Sequence, residues 1–81
     1  MSAQYQQGEL KSLQGRKIEV LATEQNGIRL MLSDNKVLLI AERDRRYSRH
    51  WQGPFEAILT ADGQLLQLPT LQIVTVLAIA D

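Results

Sequence analysis

Three turn-forming pairs, Asn26-Gly27, Asp34-Asn35 and Asp62-Gly63, cut the chain after Arg16 into short apolar stretches. Gly, Asn and Asp accept left-handed backbone that other residues avoid, so each pair marks a reversal. Apolar residues recur at every second position in the first stretch, at Ile18, Val20 and Ala22. That period belongs to a strand with one buried face. The pattern predicts six strands, over residues 16–22, 28–33, 36–41, 55–61, 64–68 and 73–80, with Pro69 ending the fifth.

The turns also set an expected register. A two-residue Asp34-Asn35 loop places Leu32 opposite Val37 and Leu30 opposite Leu39. Ile28, Leu30, Leu32, Val37, Leu39 and Ala41 then share the core face. A three-residue loop over residues 25–27, with Gly27 left-handed at its end, brings Ile18, Val20 and Ala22 onto that face. Asp62-Gly63 reads as a type I′ hairpin turn and groups Phe55, Ala57, Leu59, Leu66 and Leu68. A three-strand meander, a connector, a hairpin and a closing strand fit a mainly β fold. The expected form is a small, bent SH3-like or Sm-like barrel of five to six antiparallel strands with one short helix or ordered connector. Residues 16–81 form that domain. Residues 1–15 are polar and Gln-rich and read as a loose lead-in, with Leu10 and Leu13 on one helical turn ended by Gly15.

Size and composition narrow the function classes. An 81-residue chain holds one domain. It has no Cys, which removes disulfides, thiolate catalysis and Cys-based metal centres. Nine basic residues balance nine acidic ones, so no whole-chain attraction to nucleic acid or anionic membrane is expected. The opening residues lack the basic and apolar stretches of a secretory signal. The most apolar run, residues 73–80, falls far short of the ~20 residues of a membrane-spanning helix. The expectation is a cytoplasmic protein without membrane contact.

Charge is nevertheless concentrated in one place. Arg43, Arg45, Arg46 and Arg49 fall close together with Asp44 as the only acid between them, so residues 43–51 carry +3 and the remainder −3. Tyr47 and Trp51 lie in the same run. A short helix there pairs Glu42 with Arg46, lines up Arg43, Tyr47 and Trp51 on one side, and stops at Gly53-Pro54. Arg offers planar forks to carboxylate or phosphate, and Tyr and Trp anchor protein partners or stack on bases. Arg43, Arg45, Arg46, Tyr47, Arg49 and Trp51 are therefore the candidate partner-binding set. The competing reading makes the segment a connector that lays its aromatics over an open barrel end.

No catalytic, cofactor or metal signature stands out. Asp44, Ser48 and His50 have the residue types of a hydrolytic triad, but three residues on one short segment rarely converge. A single His without Cys is a poor basis for a zinc site. No glycine-rich phosphate loop is present. A second expectation comes from surplus apolar residues. The assumed register puts Met31, Leu38 and Ile40 outside, and the last strand is apolar on both sides, Val74 and Val76 included. Such a group marks a self-association surface, with a dimer as the commonest solution.

The combined expectation is a non-enzymatic module that binds a protein partner, takes no cofactor and self-associates. RNA or DNA binding through residues 43–51 is the alternative, and a small hydrolase a remote third.

Overall fold

A computed structural model describes residues 13–80 of the chain. Six strands form: β1 (Lys17–Glu24), β2 (Arg29–Leu32), β3 (Val37–Ile40), β4 (Phe55–Leu59), β5 (Gln64–Gln67) and β6 (Ile73–Ala80). Between β3 and β4 run a 3-10 turn, Glu42–Asp44, and a single helical turn, α1 (Arg45–Ser48). The strands close into an antiparallel barrel in the order β1-β2-β3-β6-β5-β4, with β1 pairing to both β2 and β4. No helix among the described residues is long and apolar enough to cross a membrane. Leu10 lies outside the described residues. Leu13 packs against the core, and Gly15 follows it at φ 81°.

The hairpins differ from expectation in one systematic way. Between β2 and β3, Leu32 N–H donates to Lys36 O at 2.8 Å and Asn35 N–H to Leu32 O at 3.2 Å. Asn35 is left-handed at φ 70°. This is a three-residue loop, a tight turn closed by a left-handed residue, where a two-residue loop was expected. Between β4 and β5 the same device recurs. Thr60 N–H donates to Gln64 O at 2.7 Å, Gly63 N–H to Thr60 O at 3.2 Å, and Gly63 has φ 84°. Asp62 keeps ordinary backbone and takes the Thr60 hydroxyl on its carboxylate. The first hairpin is longer than expected, because Glu24 pairs with Arg29 across four residues. Gln25, Asn26 and Gly27 are all left-handed there, Gly27 at φ 90°.

Each one-residue change of loop moves a strand's side chains to the opposite face. Leu30 opposes Leu38, and Met31 opposes Val37. The core cluster therefore takes Leu38 and Ile40 rather than Val37 and Leu39, and Leu65 rather than Leu66. Val20, Leu30, Leu32, Ala57, Leu59, Val74, Val76 and Ile79 complete most of it, with Phe55 and Trp51 at one end. In β6 the ladder slips by one residue opposite Leu39 and Ile40, which leaves Leu77 out of pairing and exposed. That bulge changes the phase, so Val74, Val76 and Ile79 all reach the same core. A second bulge in β1 skips Leu21, so Ala22 and not Leu21 lies across from Met31.

These registers overturn most of the expected self-association surface. Leu38, Ile40 and Val74 are 0% exposed and Val76 is 6% exposed, all packed inside the barrel of one chain. Only Met31 of that set stays outside the core cluster, half-buried between Ala22 and Val37.

Candidate functional site

The connector is fixed to the barrel from several directions. Ser48 is fully buried, and its hydroxyl donates to Gly27 O at 2.8 Å. The approach is close enough that a Cβ on Gly27 would stand 2.5 Å from Arg49 N and 2.6 Å from Ser48 Oγ. Gly27 thus serves twice, as the left-handed end of its turn and as the floor under α1. On the other side, Asp44 accepts a hydrogen bond from Thr75 N–H at 2.7 Å, and Ala41 N–H donates to Thr75 O at 2.9 Å. These bonds hold the start of the connector where β6 leaves its own ladder irregular. Gly53, further on, presses against the β1 bulge, where a Cβ would lie 2.0 Å from Leu21 O.

That anchoring decides where the six candidate partner-binding residues go. Arg45 Nε donates to Ile40 O at 2.9 Å, which fixes one edge of its guanidinium. Arg45, Arg46 and Arg49 line one groove together with Asn26, Ile28 and Glu42. Arg46 also lies 4.8 Å over the Tyr47 ring, a cation–π contact. Arg49 Nε points to His50 Nε2 at 3.3 Å. Arg43 turns away and reaches Thr75 Oγ1 at 3.3 Å. The three groove cations face a single carboxylate, Glu42, and the expected Glu42–Arg46 pair is not among the ion pairs of the described residues.

Trp51 does not join them. The helical turn ends at Ser48, so Trp51 is not on its face. Its indole is 6% exposed, packs edge-on against Phe55 at 5.6 Å, and donates from Nε1 to Gln72 Oε1 at 2.6 Å. It joins the core cluster, while Arg43, Arg46 and Arg49 are exposed and Arg45 is half-buried. Tyr47 is intermediate: it packs against the core and also lines a shallow hollow with Leu71, Gln72 and Ile73. Asp44, Ser48 and His50 go three ways, to Thr75, to Gly27 and to Arg49.

Leu71 was absent from the expected site. It is 67% exposed and left-handed at φ 62°. Its N–H donates to Gln67 O at 2.8 Å, and Gln67 N–H donates to Gln72 O at 2.9 Å, so the turn is tied at both ends. The signal in the sequence was Pro69, which ends β5 and forces a turn whose backbone sequence alone does not specify. Comparison with protein-family models, curated proteins and solved structures finds no match to this chain.

Proposed function

We propose that this chain is a non-enzymatic protein-interaction module in which the barrel is the scaffold and the connector is the contact face. The observation that carries this reading is the groove shared by Arg45, Arg46 and Arg49. Three arginines on one anchored turn present their guanidinium groups to the same groove, where planar forks suit carboxylates. Two observations favour a protein over RNA or DNA. Trp51 is withdrawn into the core, and the remaining aromatic of the segment, Tyr47, already carries Arg46 on its ring. Single-stranded nucleic acid is usually held by exposed aromatic faces in a basic track. The buried Ser48 hydroxyl, committed to Gly27 O, favours binding over hydrolysis.

The test is capture from native lysate on the immobilised chain, with and without nuclease, and with identification of what is retained. A specific protein is expected to survive nuclease treatment and to be lost with Arg46→Ala/Arg49→Ala, while the thermal melt of that variant stays close to wild type. Loss of all capture after nuclease treatment would instead identify nucleic acid as the partner.

A further inference from the structure

The basic groove and the hollow beside Leu71 flank the same turn. Arg46 lines the first, Tyr47 lines the second, and the cation–π contact joins them. Leu71 is the unusual part. Left-handed backbone is unfavourable for a residue with a Cβ, and Gly or Asn normally occupies it. Here it holds a leucine side chain out into solvent, next to exposed Ile73. The surrounding bonds enforce this. Leu71 N–H and the Gln67–Gln72 backbone bond fix the turn, and the Trp51 indole fixes the Gln72 side chain. An outlier held in this way, in a hollow that the Arg46–Tyr47 contact joins to the charged groove, points to use.

Resting on the reading of α1 as a contact face, we propose a bipartite site for an acidic protein segment that carries an apolar residue. Its carboxylates lie among Arg45, Arg46 and Arg49, and its apolar side chain enters the hollow formed by Tyr47, Leu71 and Ile73. Charge complementarity commits the occupant. The groove offers three cations against one carboxylate, so a basic or neutral segment would leave its guanidinium groups unpaired. An apolar anchor beside a charged rim is also the usual anatomy of a small protein contact.

The test is an amide-shift titration of the whole chain with three probes: a capped decapeptide with Glu residues flanking a central Leu-Phe pair, the same peptide with Ala-Ala at the centre, and a thymidine decanucleotide. The Leu-Phe peptide is expected to shift the amides of Arg45, Arg46 and Arg49 together with those of Leu71, Gln72 and Ile73. The Ala-Ala peptide should bind at least about five-fold more weakly, and Arg46→Glu should weaken the Leu-Phe peptide by about ten-fold. Leu71→Asn separates recognition from folding. Asn suits the left-handed position, so its melting temperature should not fall, while affinity for the Leu-Phe peptide should drop by about five-fold or more. Equal affinity for the two peptides, or an unchanged Leu71→Asn variant, overturns the bipartite site and leaves the arginine face standing. Preferential binding of the oligonucleotide with a steep salt dependence overturns both readings. Absence of any shift with the Leu-Phe peptide, or the same amides shifting with protein concentration alone, overturns the proposal too, the latter by making a second copy the occupant.

Discussion

At the scale of single residues, two glycines with nearly the same φ separate two kinds of constraint. Gly63 at φ 84° has nothing within 4 Å of where a Cβ would be, so only backbone preference acts there. Gly63→Ala should cost about 1–2 kcal/mol. Gly27 at φ 90° carries the same preference and also abuts the backbone of Arg49. Gly27→Ala is expected to cost roughly 2–4 kcal/mol, the excess being forced displacement of a packed neighbour. Chemical denaturation of the two variants side by side measures that excess, and equal losses would mean that α1 yields freely. The left-handed Gly27 was legible in the sequence, because an Asn-Gly pair between alternating stretches has few other meanings. Its second role was not, since the residue it touches is distant along the chain. Leu38 gives the opposite lesson. Residues 37–40 are apolar at every position, so alternation could not choose which pair faced inward, and a one-residue loop error reversed the choice. Leu38→Glu now places an unpaired charge in the core. The variant is expected to lose its cooperative thermal transition in circular dichroism.

At the scale of elements, the connector is the part that sequence reading divided wrongly. Its composition was legible, and so were the two readings that composition admits. What could not be read was which aromatic turned inward, because an exposed anchor and a buried plug call for the same residue types. α1 is one turn long, so Trp51 falls beyond it and turns inward. The bond from Thr75 N–H to Asp44 is one of those that tie this short element to the barrel. Asp44→Ala removes the acceptor and should destabilise by about 1–3 kcal/mol. Asp44→Asn keeps an acceptor oxygen and should recover most of the loss. Arg46→Ala/Arg49→Ala is expected to abolish capture with the melt unchanged, whereas Asp44→Ala should lower both. Thermal melts and capture measured on the same preparations distinguish the two outcomes. The hairpins show a similar division between what is legible and what is not. Asp34-Asn35 and Asp62-Gly63 were correctly placed as reversals, but both form three-residue loops in which only the final residue, Asn35 or Gly63, is left-handed.

At the scale of the whole molecule, six strands and a closed circuit were within reach of the turn pattern, because the number of reversals fixes the number of strands. Much of the apolar surplus expected at the surface, Leu38, Ile40, Val74 and Val76, lies in the core instead, while Leu21, Ile73 and Leu77 are exposed. Two bulges, at Leu21 and Leu77, let β1 and β6 change phase midway, and β6 thereby feeds the core from residues of both parities. A closed core of this kind needs no second copy, so the wild type is expected to sediment as a folded monomer at tens of micromolar. A dimer at that concentration would require a contact other than Leu38, Ile40, Val74 and Val76. The circuit from β1 through β6 and back to β1 has a further consequence for recognition. A sheet with a free margin can accept another chain as an extra strand, and such augmentation binds through main-chain groups that nearly any sequence possesses. Here each described strand has a neighbour on both sides of the circuit, β1 and β6 over only part of their length on each side. Along the doubly paired stretches a visiting chain must be read by side chains, so its choice there can be altered by surface substitution while the hydrogen-bonded frame stays untouched.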